Sequence, residues 1–202
     1  MSLPTLTYFN VAGRAYALRV AMFKAFGKAG WTDDRVDFSK WGELKPTTPL
    51  GSLPVLTLPD GRKVTQTDAM LRWAGRAAKL YPDDPIEALL VDEITQCVID
   101  VLAKTPPAAG EEGKAKRTEY AESGLLRKAL THFENKLSDG WLVENDLTVA
   151  DLSVTTLVDM ILTDDFTHVP AAYMDGFPKV KALAERVHAS DLVTAYHKEY
   201  VN

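Results

Sequence analysis

The sequence predicts a small α/β domain followed by an all-α domain. Short β-forming segments alternate with helical patterns over roughly the first 80 residues. A Tyr-Pro-Asp-Asp-Pro stretch at residues 81–85 then has turn and linker composition. Beyond it, apolar residues recur at helical spacing almost to the end of the chain. We therefore expect domains at residues 1–80 and 86–202, joined by a linker at 81–85.

Composition and charge limit the classes of function. The 202 residues are 46% hydrophobic and 25% charged, which is ordinary for a globular protein that buries its own core. The net charge of −5 argues against nucleic acid as a partner, which needs a basic surface. One cysteine, Cys97, excludes an internal disulfide framework and fits a reducing compartment. We find no signal-peptide pattern and no run long enough to span a membrane, so we expect a soluble cytoplasmic protein without a membrane partner.

The first unit is a strand, a turn and a helix. Residues 3–9 are rich in β-forming residues, and the small residues at 10–13 form a turn. From Arg14 to about Phe26 the apolar side chains keep helical spacing. A second strand is predicted at residues 35–38, and an irregular connection rich in Pro and Thr follows at 41–50.

Residues 51–69 predict a site for an anion. A Leu-Pro step leads into a strand, the turn Pro59-Asp60-Gly61 reverses the chain, and residues 63–65 form the return strand. The short polar side chains of Thr67 and Asp68 then mark the start of a helix. Because a helix N-terminus has unpaired N–H groups and a partial positive charge, it suits a carboxylate or phosphate beside the free backbone edge.

The second domain is predicted as a series of helices. One runs from 86 to about 104 and must end or kink at Thr105-Pro106-Pro107. A solvated loop at 110–113 and one long helix at about 116–137 follow. Thr148 and Asp151 have the spacing of a capping box at the start of a helix that is apolar on all sides. Two closing helices are predicted at 177–188 and 192–200.

Several short motifs follow one another along the chain. They are Leu6-Thr7-Tyr8-Phe9, Gly13-Arg14, Trp41 with Lys45, Leu53-Pro54, Gln66-Thr67 followed by Ala69, Asp100, and Thr148-Val149-Ala150-Asp151. Each motif alone is weak, but their order and spacing resemble those of the cytosolic glutathione transferases of the tyrosine type, nearest the sigma class. The resemblance covers essentially the whole chain and implies a thioredoxin-like first domain. It also implies transfer of the glutathione sulfur to small apolar electrophiles, with glutathione as co-substrate and no cofactor or metal.

The resemblance implies that Tyr8 is catalytic. Only the thiolate of glutathione is a good nucleophile, and a thiol with a pKa near the cysteine reference of about 8.5 is mostly protonated at neutral pH. A tyrosine hydroxyl that donates to the sulfur favours the charged form. Arg14 is implied to add positive charge near the same sulfur. From spacing alone, an ordinary core aromatic remains the better explanation of Tyr8.

The remaining implied contacts surround the tripeptide. They are Trp41 and Lys45 for the glycyl carboxylate, Leu53 for backbone pairing with the cysteinyl residue, Pro54 with a cis bond to hold Leu53, Gln66 and Thr67 for the γ-glutamyl end, and Asp100 from the other subunit of a homodimer. An electrophile pocket would include Phe9, Gly13 and Arg14. Without the resemblance, these positions fit a loop anchor, a solvated lysine, a plain helix start and a surface aspartate.

Two departures from the family pattern affect the second substrate and the dimer. Leu50 occupies the place of an aromatic residue that several classes insert into the partner subunit, which predicts a more polar dimer contact. The break at Thr105-Pro106-Pro107 removes aromatic residues from the electrophile pocket, which argues against a prostaglandin isomerase. Two further hypotheses stay open: a non-catalytic carrier or structural protein, and a glutathione-dependent isomerase or peroxidase. The four histidines have no metal-ligand spacing.

Overall fold

A computed structural model describes residues 2–138, 140–143 and 146–200. It confirms an α/β unit followed by a helical unit. The first unit comprises β1 (Thr5–Phe9), α1 (Tyr16–Phe26), β2 (Thr32–Val36), α2 (Trp41–Leu44), β3 (Val55–Thr57), β4 (Lys63–Val64) and α3 (Thr67–Ala78). The second comprises α4 (Pro85–Lys104), α5 (Gly110–Glu122), α6 (Leu125–Lys136), α7 (Val149–Leu162), α8 (Pro178–Ala189) and α9 (Asp191–Tyr200). The domain bounds at 80 and 86 stay a prediction.

The four strands form one mixed sheet in the order β2-β1-β3-β4. β1 is parallel to β2, as expected when a helix connects two strands, and antiparallel to β3. β3 and β4 form the predicted hairpin, in which Gly61 has a φ of 87°. Helix α1 packs against α3 of its own unit and against α7 of the helical unit, so one helix connects the two cores.

Helix α7 is the buried centre of the helical unit. Its capping box is present as predicted: Ala150 N–H donates to the Thr148 hydroxyl and Thr148 N–H donates to the Asp151 carboxylate at 2.8 Å. Asp151 also accepts from Leu142 N–H, which ties the preceding loop to the helix. Burial outweighs these hydrogen bonds and raises the pKa of Asp151 to about 6.

The prediction of one long helix at 116–137 after a loop at 110–113 was wrong. The chain forms α5 and α6 instead, and α5 already begins at Gly110. At the break, Ser123 and Gly124 both donate to the Glu119 carbonyl. A Cβ on Gly124 would lie 2.7 Å from Tyr120 Cα, so only glycine allows the chain to turn back this closely.

Two other boundaries differ from the prediction. The second strand lies at Thr32–Val36 rather than 35–38, because the Asp37 carboxylate accepts from Ser39 N–H and starts a 3₁₀ turn there. Neither Thr67 nor Asp68 caps α3. The residue before the helix is Gln66, with a φ of 73° and no side-chain cap.

Candidate functional site

The Tyr8 hydroxyl lies against the turn between β1 and α1. Its oxygen accepts a hydrogen bond from Arg14 N–H at 3.2 Å, and the ring is buried. Gly13 has a φ of +38°, and a Cβ there would lie 2.7 Å from the hydroxyl oxygen. Glycine is therefore needed both for the backbone conformation and for this close approach. Because a phenol has one proton and the oxygen is already an acceptor, its O–H remains available to donate to a ligand atom.

A buried arginine, Arg19, holds the same turn from the other side. It donates to the carbonyls of Val11 at 2.6 Å and Phe9 at 3.1 Å, and it pairs with Asp33 at 2.9 Å. Its guanidinium carbon is 5.7 Å from the centre of the Tyr8 ring. Each of these contacts satisfies part of a charge that would be costly to bury alone. The sequence offered one signal for this role, an arginine between apolar neighbours in the first half of α1, but it did not indicate the partners of that arginine.

A cavity of about 210 Å³ lies between the sheet end and helix α4. It brings together five of the residues implied by the resemblance: Arg14, Leu53, Pro54, Gln66 and Thr67. The Leu53-Pro54 peptide bond is cis, as expected. The structure therefore collects residues from the β1–α1 turn, the segment before β3 and the start of α3 around one space.

Five further lining residues were missed: the polar Ser52, Asp68 and Gln96, and the apolar Ile99 and Ala103. Asp68 accepts from Arg72 at 2.6 Å and from Thr95 at 3.1 Å, so its carboxylate is fixed at the start of α3. Its position directly after Gln66-Thr67 was a usable signal. Gln96 had none, because it reaches the cavity from α4, thirty positions beyond Gln66 in the sequence.

Trp41, Lys45 and Phe9 are not among the residues that line this cavity. Trp41 packs edge-on against Phe9, with ring centres 5.5 Å apart, and Phe9 stacks on Phe38 at 4.4 Å. Lys45 Cε lies 3.6 Å from the position that a Cβ on Gly51 would take, next to the cavity residue Ser52. None of these contacts tests whether Trp41 and Lys45 bind the glycyl carboxylate, so these two roles stay predictions.

The predicted electrophile pocket is only partly assembled. Gly13 and Arg14 line a small cavity of about 20 Å³ between the two units, with Thr67 from α3 and Ser153 from α7. Phe9 does not line that cavity, because its side chain packs in the aromatic cluster with Trp41.

Asp100 lies on the surface of α4. It accepts from Lys104 at 2.8 Å and from Gln96 at 3.2 Å, and both bonds lower its pKa. Ile86 and Leu89 are each more than 60% exposed. They lie on the same face of α4 as Asp100, because successive steps of three and four residues lead from Ile86 through Leu89 to Asp100.

The histidines and the cysteine take structural contacts. His132 bonds Glu93 and His188 bonds Asp159. Burial raises the pKa of the Cys97 thiol. In residues 2–138, 140–143 and 146–200 no group of three or more His, Cys, Asp or Glu side chains is arranged to hold a metal ion. In the same residues no helix is long and apolar enough to cross a membrane.

Comparison with known proteins identifies the family. The family model described as glutathione S-transferase, C-terminal domain, matches residues 99–200. Glutathione S-transferase 2 of Manduca sexta is 32% identical over 160 residues, covering 76% of this chain and 76% of that protein. The chain belongs to the glutathione S-transferase family, which confirms the resemblance drawn from its motifs.

Two other comparisons extend over almost the whole chain. Hematopoietic prostaglandin D synthase of Gallus gallus is 28% identical over 193 residues, covering 95% of this chain and 93% of that protein. A solved structure of prostaglandin synthase D of Nilaparvata lugens superposes with a TM-score of 0.83 at 23% identity, covering 98% of each chain. That structure supports the fold.

Proposed function

We propose that this protein transfers the sulfur of reduced glutathione to small apolar electrophiles. The observation that carries the proposal is the position of the Tyr8 hydroxyl. Its oxygen accepts a hydrogen bond from Arg14 N–H, and Arg14 lines the same cavity as Leu53, Gln66 and Thr67. Family membership supplies the co-substrate.

In the proposed mechanism, the Tyr8 O–H donates to the glutathione sulfur. This hydrogen bond is stronger to a thiolate than to a thiol, so it lowers the pKa of the bound thiol and raises the reactive fraction. The bond from Arg14 N–H fixes the phenol oxygen from behind. The thiol proton passes to solvent water. The thiolate then attacks the electrophilic carbon, a carbon–sulfur bond forms, and the bond from that carbon to the leaving group breaks, with its electron pair going to the leaving group.

The tripeptide would lie along the cavity between two anion-binding ends. Leu53 would pair its backbone with the cysteinyl residue, with Pro54 holding the segment. The γ-glutamyl carboxylate would bind at the start of α3, where Gln66 and Thr67 lie and backbone N–H groups point outward. Asp68 beside it has the charge to bind the γ-glutamyl amino group. Trp41 and Lys45 would bind the glycyl carboxylate.

Turnover of a chromogenic chlorodinitrobenzene by wild type and Tyr8→Phe tests this function. Loss of one charge-assisted hydrogen bond of about 1.5–3 kcal/mol predicts a fall in kcat/KM of about 10- to 100-fold at neutral pH. The difference should shrink as the pH rises toward the pKa of free glutathione, because the thiol then ionises without help. Tyr120→Phe is the matched control, since its hydroxyl donates to the Val101 carbonyl instead. Equal rates for wild type and Tyr8→Phe would refute the assignment.

We also propose a homodimer in which α4 takes part. The support is the exposed apolar pair Ile86 and Leu89 on the helix face that carries Asp100. Light scattering at micromolar concentration should give twice the chain mass, and Ile86→Lys with Leu89→Lys should halve it. Leu162→Lys, at an exposed position on α7, is the control. A monomeric wild type would remove the proposed contact of Asp100 with glutathione of the other subunit.

Glutathione-dependent isomerisation is the second candidate function, because the Gallus gallus relative is named as a prostaglandin D synthase. Both reactions need the same thiolate, so the Tyr8→Phe variant should lose both. Product analysis with a prostaglandin endoperoxide separates them.

We propose a cytoplasmic location, supported by the single unpaired Cys97 and the acidic pI near 5.4.

A further inference from the structure

A second and larger cavity lies on the opposite side of the β1–α1 turn. Its volume is about 480 Å³, within the range of about 300–1,000 Å³ typical of small-molecule sites. It is bounded by the turn residues Asn10–Ala12, by α1, by the end of α7 and by α9.

The two sides of the turn are occupied by different residues. Gly13 and Arg14 face the two cavities next to Tyr8, whereas Val11 and Ala12 face the large one. Within the described part of the chain, the large cavity shares no lining residue with either of the other two. A molecule in it would therefore be separated from glutathione by the backbone of the turn.

The charged groups of the lining already have partners within the protein. The Asp165 carboxylate accepts a hydrogen bond from the Thr163 hydroxyl at 2.9 Å. Arg19 and Arg35 both pair with Asp33, at 2.9 and 2.7 Å. His188 pairs with Asp159 at 2.9 Å, which raises the pKa of His188. A ligand with its own charge would have to compete with these contacts and lose hydration.

The remaining polar groups are neutral and suited to hydrogen bonding. The Tyr16 hydroxyl and His197 Nε2 lie 3.1 Å apart. Burial lowers the pKa of His197, raises that of Tyr16 and raises that of Tyr196 to about 12, so all three are uncharged at neutral pH. Their ring faces, with Met160, supply apolar surface.

We propose that this cavity is a second ligand site, which binds neutral aromatic compounds carrying one hydrogen-bonding group and does so while glutathione is bound. The rings would pack between Met160 and Tyr196, and the polar group would bond to Tyr16 or His197. The site does not depend on the proposed transfer reaction, because Tyr8 takes no part in it.

Binding of N-phenylnaphthylamine, a neutral fluorescent probe with one N–H donor, tests the proposal. Its fluorescence should rise on binding, in wild type and in Tyr8→Phe, and should persist with saturating S-hexylglutathione. Anilinonaphthalene sulfonate has the same rings plus a negative charge and should bind about tenfold more weakly. Displacement of the neutral probe by S-hexylglutathione, or equal binding of the sulfonate, would overturn the proposal.

Two substitutions test whether the probe binds in this cavity. Met160→Trp should weaken binding about tenfold or more by filling the space, whereas Leu162→Trp, on the same helix but outside the lining, should not. Thr163→Trp narrows the cavity from an exposed position and provides a second variant if Met160→Trp does not fold. Unchanged binding in a folded Met160→Trp or Thr163→Trp variant would show that the probe binds elsewhere.

Discussion

Replacing Gly13 by alanine should displace the Tyr8 hydroxyl, the proposed donor to the glutathione sulfur, while the other proposed glutathione-binding residues stay in place. The new Cβ would lie 2.7 Å from the Tyr8 oxygen, and ordinary contact begins at about 3.4 Å. The oxygen must therefore move by about 0.7 Å. A movement of that size away from the turn breaks the 3.2 Å hydrogen bond from Arg14 N–H and misdirects the O–H toward the sulfur.

The size of the effect follows from the hydrogen bond that is lost. A bond to a charged sulfur is worth about 1.5–3 kcal/mol, so kcat/KM should fall about 10- to 100-fold at neutral pH. The Michaelis constant for glutathione should change little, because the cavity residues stay in place. Alanine at a φ of +38° should also lower the free energy of unfolding by about 1–3 kcal/mol.

A double-mutant cycle with Tyr8→Phe separates the steric effect from general strain. Without the hydroxyl, the nearest ring atom is Cε1 at 3.3 Å from the new Cβ, so Gly13→Ala should cost little further activity in that background. Gly27→Ala is the control for strain, since Gly27 has a φ of +66° with no atom within 4 Å of the new Cβ. Equal losses from Gly13→Ala in both backgrounds would refute the reasoning.

Three further variants test the surroundings of the site and the helical core. Gln66→Gly should raise stability by about 0.5–2 kcal/mol, because glycine relieves a φ of 73°, and should raise the KM for glutathione; urea unfolding and kinetics measure the two effects. Thr148→Ala should lower the urea-measured stability by about 1–2 kcal/mol through the lost cap. Because burial raises the pKa of Asp151 from its ordinary value of 3.8 to about 6 in the folded protein, its contribution to stability should fall by up to about 3 kcal/mol as pH rises from about 4 to above 6. Asp151→Asn should remove this slope in urea titrations across that range.

Features specified by neighbouring residues could be predicted from the sequence. The hairpin at Pro59-Asp60-Gly61 and the Thr148–Asp151 capping box depend on backbone preferences and hydrogen bonds within a few residues. The local sequence was therefore sufficient to predict both features. The order of the four strands and of helices α1, α3 and α4 followed for the same reason, whereas α2 and the division into α5 and α6 did not. The motifs around Tyr8, Leu53 and Gln66 then identified the family, although none of them alone defined the site.

Features that depend on distant contacts could not be predicted in this way. At the α5–α6 break, Ser123-Gly124 was a local turn signal, but the packing of Gly124 against Tyr120 that turns the chain back could not be predicted from it. Gln96 enters the cavity only because α4 crosses the start of α3. Arg19 is recognisable as a buried clamp only once the carbonyls of the β1–α1 turn lie around it. The second cavity likewise needs α9 beside α1.

The two tyrosines at the β1–α1 turn differ in position rather than in residue type, and we propose that this position decides which phenol activates the thiol. Tyr16 follows Tyr8 by eight residues, and its hydroxyl lies at hydrogen-bond distance from His197 in the second cavity, where burial raises its pKa. The Tyr8 hydroxyl touches Gly13 and Arg14, which line the space shared with the tripeptide-binding residues. In the proposed function, the same turn thus presents one phenol to glutathione and the other to the proposed second ligand site. Accordingly, Tyr16→Phe should leave thiol ionisation unchanged while Tyr8→Phe abolishes its shift, and the ultraviolet absorbance of bound thiolate against pH can measure both.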